Sequence, residues 1–257
     1  MPEADQKSLP GKQRDFLATH CKLAIQARGA TAYAQGVPTD LFENNVIPYA
    51  SLDEPREDWR TFFRGKLAPL VEDAATTLDA ARTLNALIWT LEGWNVTICA
   101  EPTPDLLSPS QVLSRGCGTA SSLAVFLVDA CRAVGVPARV AGVAAWKLSN
   151  GTRGYHHWVE VWHAGAWSFT DPLPCTGMDA AEGATRPFNE TWFFPDPVRS
   201  SKPGSLGRGV WASSYKYTGK VFPLPWRDDY SSNVPGIDVT KHYLEDDQQV
   251  AQETVAP

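Results

Sequence analysis

The stretch between Gly116 and Gly135 constrains the fold more than any other part of the sequence. Its apolar residues occupy nearly every side of a helix: Leu123, Val125, Phe126, Leu127, Val128, Ala130, Cys131 and Val134. A helix without a polar face has to be surrounded by other elements, so residues 117–134 are predicted to form a central, buried helix. Gly135 and Pro137 supply the signals that end it.

Three short segments with strand patterns follow this helix. Residues 139–146, 155–163 and 167–171 are rich in β-branched and aromatic residues, and turn formers at 149–151 and 164–165 separate them. Consecutive strands joined by short turns form antiparallel pairs. The sequence therefore predicts an α+β fold, in which one buried helix packs on an antiparallel sheet.

The 257 residues are expected to form one domain with four parts. These are an N-terminal helical extension (1–75), a core (76–173), a C-terminal elaboration (174–245) and a flexible tail (246–257). Helical spacing of apolar residues also predicts helices at 16–29, 59–71 and 76–91, and alternation predicts a strand at 94–98.

Charge and hydropathy argue against two classes of partner. The net charge is −6 and the basic residues form no cluster, which disfavours binding to nucleic acid. No apolar run reaches the roughly 18 residues that a membrane-spanning helix needs. Residues 1–15 are polar and lack the apolar centre of a signal peptide, so a cytoplasmic protein is expected.

The five cysteines are Cys21, Cys99, Cys117, Cys131 and Cys175. Their number is odd and no two are spaced as a CxxC pair. This pattern favours reduced thiols over a disulfide framework, and it agrees with a cytosolic location.

Cys117 is the candidate nucleophile. It lies between Gly116 and Gly118, where a loop is predicted to give way to the buried helix. Free backbone N–H groups and the helix dipole at such a position lower a thiol pKa, and the same N–H groups, that of Gly118 included, can bind an oxyanion. The structural alternative is a small buried residue, which is the usual role of a lone cysteine.

A histidine pair and an aspartate could complete a catalytic site. His156 and His157 lie on the second strand, and Asp171 ends the third. A thiol nucleophile needs a base, and the base needs a third group that fixes its tautomer. The residue types alone leave open which histidine is the base, and structural roles for all three residues remain possible.

Four separated motifs resemble the transglutaminase-like superfamily. They are Arg115-Gly-Cys117-Gly-Thr-Ala-Ser, Cys131-Arg-Ala-Val-Gly-Val-Pro-Ala-Arg139, His156-His-Trp158-Val-Glu160-Val-Trp162 and Trp167-Ser-Phe-Thr-Asp171-Pro. The resemblance covers about residues 85–173. It implies a papain-like α+β core with a Cys–His–Asp triad, no cofactor and no metal.

The resemblance also assigns individual residues. The family motif His-x-Trp-x-Glu fits only if His156 is the base, and period two places His156 with Trp158 and Glu160 on one face of the strand. An aromatic residue ahead of the cysteine assists the oxyanion in the family, and Trp94 is the match here. Gln111 has the spacing of a papain-type oxyanion glutamine, which we interpret as a coincidence.

The expected activity is acyl transfer on an amide or peptide bond through a thioester at Cys117. Hydrolysis and transfer to an amine both remain open, and the substrate class is a peptide or an amide-containing small molecule. Two alternatives are kept. One is a non-catalytic binding module on the same fold, and the other is a zinc site built from Cys117, His156, His157 and Asp171.

Overall fold

The computed structural model describes residue 5 and residues 13–99, 106–147 and 153–245. The predicted tail at 246–257 and the predicted turn at 149–151 lie outside these residues. None of the described helices is long and apolar enough to cross a membrane.

Helices form the N-terminal half and the centre of the chain. They are α1 (Gln13–Ala30), α2 (Ala32–Gln35), α3 (Thr39–Asn45), α4 (Trp59–Val71), α5 (Thr77–Leu87), α6 (Pro109–Arg115), α7 (Ala120–Ala133) and α8 (Ala180–Thr185). Residues 240–245 are also helical. The helices predicted at 16–29, 59–71 and 76–91 thus correspond to α1, α4 and α5.

The strands of the described residues form two sheets. They are β1 (Thr97–Ile98), β2 (Cys117–Gly118), β3 (Ala138–Lys147), β4 (Arg153–His163), β5 (Ala166–Thr170), β6 (Trp211–Ser213) and β7 (Gly236–Asp238). Strands β1 and β2 make a small parallel pair. The other five form one antiparallel sheet in the order β5-β4-β3-β6-β7.

Helix α7 lies at the centre of the molecule. Every residue from Ser121 to Ala133 is buried. Helices α4, α5 and α6 pack on it from one side, and strands β3 and β4 pack on it from the other. The predicted α+β fold, with a buried helix on an antiparallel sheet, is confirmed.

The sheet is covered on both faces. Val140, Val159 and Val161 belong to the main core with α7. Trp158 and Phe169 project the other way, into a second core that Phe193 and Tyr243 of the C-terminal segment complete. The segment after residue 174 therefore closes a sheet face that would otherwise be exposed.

The helix begins later than the sequence predicts. Gly116 has a left-handed backbone (φ 73°) and ends α6, after which Cys117 and Gly118 pair with β1. Thr119 then caps α7, and its hydroxyl accepts a hydrogen bond from the Ser122 amide. The prediction of a helix from residue 117 is therefore wrong by three residues, because strand pairing takes the first two.

A buried arginine connects the N-terminal extension to α7. The Arg60 guanidinium donates to the carbonyls of Arg132 (2.7 Å) and Val46 (2.7 Å), among others. Burial, with the nearby charge of Arg132 adding to it, lowers the pKa of Arg60 to about 9. The extension thus contributes part of the environment of the central helix.

Gly142 allows a close approach between β3 and β4. It pairs with His157, whose ring folds over it, and an added Cβ would overlap that ring and lie 2.6 Å from the His156 carbonyl oxygen. Gly142→Ala should therefore destabilise the protein by about 1–3 kcal/mol, as overpacking does. Urea unfolding would measure this change.

Gly65→Ala provides the control for that substitution. Gly65 lies inside α4 and has no atom within 4 Å of an added Cβ. Alanine there should be neutral or stabilise by about 0.5–1 kcal/mol. Equal effects of the two substitutions would contradict the close approach at Gly142.

Candidate active site

The centre of the site is a buried histidine–aspartate pair. His156 lies on β4, and Asp171 follows the last residue of the neighbouring strand β5. His156 Nε2 lies 2.8 Å from Asp171 Oδ1, and the two residues are 5% and 2% exposed. An ionised carboxylate can only accept, so Nε2 carries the proton and Nδ1 is left as the basic nitrogen.

Trp192 contributes a second hydrogen bond to the same carboxylate. Its indole Nε1 donates to Asp171 Oδ2 at 2.9 Å, and its ring centroid lies 5.0 Å from that of His156. Both oxygens of Asp171 are thus bonded. The sequence shows Trp192 only as one of many aromatic residues after position 174, and nothing local to it indicates this contact.

Asn85 fixes the backbone that carries Asp171. Its side-chain Nδ2 donates to the Asp171 carbonyl (2.8 Å), and its Oδ1 accepts from the Leu173 amide (2.9 Å). Asn85 lies on α5, far away in sequence. Sequence reasoning missed this residue because an asparagine within an amphipathic helix carries no distinctive signal.

The adjacent histidine points to the opposite face, as the alternation of a strand predicts. His157 is fully buried, and its Nδ1 lies 2.7 Å from Ser121 Oγ in the first turn of α7. Burial lowers the pKa of His157 to about 3, and the nearby His156 adds to this effect. His157 is therefore neutral at ordinary pH and holds the helix against the sheet.

Cys117 is paired with another cysteine. The disulfide joins it to Cys99, with the two Cα atoms 5.1 Å apart. The expectation that all five cysteines are reduced is wrong for these two. The pairing arises because parallel strands β1 and β2 bring residues 18 positions apart in sequence side by side, which spacing rules for CxxC motifs cannot reveal.

Cys117 precedes helix α7, which contacts strand β4. Ser121, four residues further along, bonds His157, the neighbour of His156. Because α7 starts at Ala120, Cys117 precedes the cap residue Thr119 and is not itself at the helix terminus. The expected effect of the helix dipole on the Cys117 thiol is correspondingly weaker, since it falls off within one turn.

The two residues predicted to bind the oxyanion, Gly118 and Trp94, make packing and backbone contacts. Gly118 is buried against Ser122 and Leu123, and its carbonyl accepts from the Cys99 amide. Trp94 packs its ring on Phe62 and Phe126. These contacts place Trp94 against the core, and its oxyanion role stays a prediction.

Gln111 belongs to a helix cap. Its Oε1 accepts from the Ser108 amide at 2.9 Å, which completes the capping box of α6. The side chain is therefore used structurally. Within the described ranges, no group of three or more histidine, cysteine or carboxylate side chains is arranged to hold a metal ion.

Part of the sequence matches a known protein family. Residues 66–172 match the family described as the transglutaminase-like superfamily. This segment spans α5, the buried helix α7 and strands β3 to β5, and it ends one residue after Asp171. The transglutaminase-like resemblance that the four motifs indicate is confirmed for this part of the chain.

Two solved structures are similar to the chain at low identity. A candidate cysteine protease from Cytophaga hutchinsonii is 18% identical, with a TM-score of 0.40, and the match covers 56% of this chain and 45% of that one. Red sea bream transglutaminase is 15% identical, with a TM-score of 0.39, and covers 68% and 36%. The chain thus spans less than half of either protein. No curated protein matches it.

The buried, neutral His157 predicts a specific acid sensitivity. An unfolded histidine titrates near pH 6.5, so the unfolded chain binds a proton that the folded state excludes as the pH falls from 6.5 toward 3. Folding stability should fall in that window by up to about 1.4 kcal/mol per pH unit. His157→Gln removes this contribution.

Urea unfolding at pH 7 and pH 5 would measure the effect. Between these two pH values the wild type should lose about 2 kcal/mol more than the His157→Gln variant. Because each protein is compared with itself, a general weakening of the variant does not affect the result. Parallel losses in the two proteins would contradict the lowered pKa.

Proposed function

We propose that the protein is a cysteine-dependent enzyme that acts on an amide or peptide bond through a thioester at Cys117. The observation that carries the proposal is the buried His156–Asp171 pair with its 2.8 Å bond, which leaves Nδ1 of His156 as a base. The transglutaminase-like match over residues 66–172 supports a cysteine-based fold.

The proposed reaction has two halves. In the first, the Cys117 thiol passes its proton to His156 Nδ1 and the sulfur attacks the substrate carbonyl. The C–N bond of the tetrahedral intermediate then breaks, His156 gives the proton to the leaving amine, and a thioester remains. In the second, water or an amine attacks the thioester and releases an acid or a new amide, and Cys117 recovers its proton.

The surrounding residues are assigned supporting roles. Asp171 holds the His156 tautomer and stabilises the imidazolium, while Trp192 holds Asp171. The Gly118 amide and Trp94 are proposed for the oxyanion. Residues 76–173 would form the catalytic part, and residues 1–75 and 174–245 would shape the access of a peptide or small amide substrate.

This chemistry requires Cys117 as a free thiol. A sulfur in a disulfide has no proton or lone thiolate to offer, so the Cys99–Cys117 pair has to be reduced by a dithiol before the first step. We place the active form in a reducing compartment such as the cytosol.

The same disulfide favours the second candidate function. If Cys117 and Cys99 stay paired wherever the protein works, the bond is a structural link between β1 and β2. The protein would then be a non-catalytic binding module on a transglutaminase-like fold. The two functions differ in whether reduction produces an acylated Cys117.

Reduction and two cysteine variants separate these functions. The reduced protein, incubated with a library of peptide amides, should show an acyl adduct by intact mass spectrometry, and Cys117→Ala should show none. Cys21→Ala is the matched control, since Cys21 is another partly exposed cysteine outside the site. Cys99→Ala should form the adduct without any reductant, because Cys117 has lost its partner.

Two results would contradict the enzymatic proposal. One is an adduct that survives in Cys117→Ala, and the other is a reduced wild type and a Cys99→Ala variant that both stay unmodified across the library. The binding module would then be the better description.

Adjacent histidines provide a matched test of the base. His156→Gln should lower turnover by at least about 10³-fold, since removal of a triad member leaves little beyond binding. His157→Gln, the same change one residue away on the opposite face, should lower it far less. Kinetics on any substrate from the library, with stability measured in parallel, would show this. A reversed order would assign the base to His157.

A further inference from the structure

A concave site lies beside the first residues of strands β3 and β5. It is a cavity of about 660 Å³, lined by Arg139, Gly165, Ala166, Trp167, Pro203, Lys220, Asp238, Val239, Lys241 and His242. Three of these residues carry a fixed positive charge and one carries a negative charge. In a chain with a net charge of −6, this is a local reversal of sign.

The cavity is separate from the candidate active site. None of Cys117, His156 and Asp171 lines it. Arg139 pairs with Glu160, which is four residues along β4 from His156, or roughly 13 Å at the rise of a strand. Any ligand here would therefore lie beyond direct contact with the proposed catalytic pair.

Arg139 is held in a fixed position on the wall of this cavity. The residue is 7% exposed, its Nε donates to Glu160 Oε2 at 2.6 Å, and its guanidinium lies 3.9 Å from the centroid of the Trp167 ring. The terminal nitrogens Nη1 and Nη2 have no hydrogen-bond partner among the described residues. A nearly buried guanidinium, fixed in place with unused donors on a cavity wall, is suited to an anionic group.

The other charges favour an anion as well. Lys220 and Lys241 are both exposed, and the charge of Lys220 also interacts with Asp238. The one acidic lining residue is already engaged, because Asp238 accepts hydrogen bonds from the Thr240 amide and hydroxyl and from the Gly204 amide. Asp238 keeps its negative charge, but its oxygens are held by the loops around β7 and the three positive lining residues outnumber it.

We infer that this cavity binds a small organic anion with a carboxylate or phosphate group. The anionic group would accept from Arg139 Nη1 and Nη2, and Lys220 and Lys241 would add longer-range attraction. Trp167, Pro203 and Val239 give the remaining wall an apolar surface for the body of the ligand. The site needs no turnover at Cys117, so its existence is independent of the proposed function.

Calorimetric titration of the full-length protein tests the inference. Citrate and inorganic phosphate serve as the probes, one for each anionic group, at low ionic strength because screening weakens exposed charges. At least one should bind at millimolar concentration or below. The double variant Lys220→Ala/Lys241→Ala should bind it at least about tenfold more weakly.

The control variant has the same net charge. Lys22→Ala/Lys216→Ala removes two exposed lysines that do not line the cavity, and its affinity should equal that of the wild type. Arg139→Lys, which keeps the charge and loses the two-nitrogen fork, should also bind more weakly. The lysine pair keeps the test valid if the Arg139 variant fails to fold.

Each possible titration result leads to a different conclusion about the ligand. Citrate binding without phosphate binding assigns a carboxylate ligand, and the reverse assigns a phosphate ligand. No heat from either anion at millimolar concentration would overturn the inference. Equal affinities of the two double variants would also overturn it, because the attraction would then come from net charge rather than from this cavity.

Discussion

The burial of helix α7 is the constraint on which the rest of the structure depends. Nearly every side of it is apolar and every residue from Ser121 to Ala133 is buried, so helices cover one side and a sheet the other. Strands β3 and β4 cover the second side. They follow one another along the chain and pair in antiparallel fashion. With α7 and β4 held together, the first turn of α7, which follows Cys117 along the chain, lies against His157.

Successive side chains of strand β4 point to opposite faces of the sheet, so the adjacent residues His156 and His157 have different surroundings. His157 turns toward α7, bonds Ser121 and is kept neutral by burial. His156 turns toward the second core, where Asp171 and Trp192 surround it. One strand thus uses one histidine to hold the helix and places the other, the proposed base, beside Asp171. On that same face, Glu160 accepts from both Arg139 and Tyr243 and so carries the polar contacts further along the strand.

Much of this could be predicted from the sequence because the signals are local. The apolar helix, the alternating strands and the glycine and proline breaks are properties of short windows. The choice of His156 as the candidate base rests on a period of two and a motif of five residues. The start of α7 could not be placed, because the preference of residues 117–118 for a helix or a strand depends on β1, which approaches from a distant part of the chain.

The sequence by itself determined the fold class, the central helix and the face on which His156 lies. It did so because periodicity and breakers act within one element. Only the tertiary structure decided that Cys117 pairs with Cys99, that Asn85 and Trp192 hold Asp171, and that Arg139 faces a cavity with unused donors. Each of these joins residues from separate elements, and such contacts are fixed by how the elements pack rather than by the residues next to them in the chain.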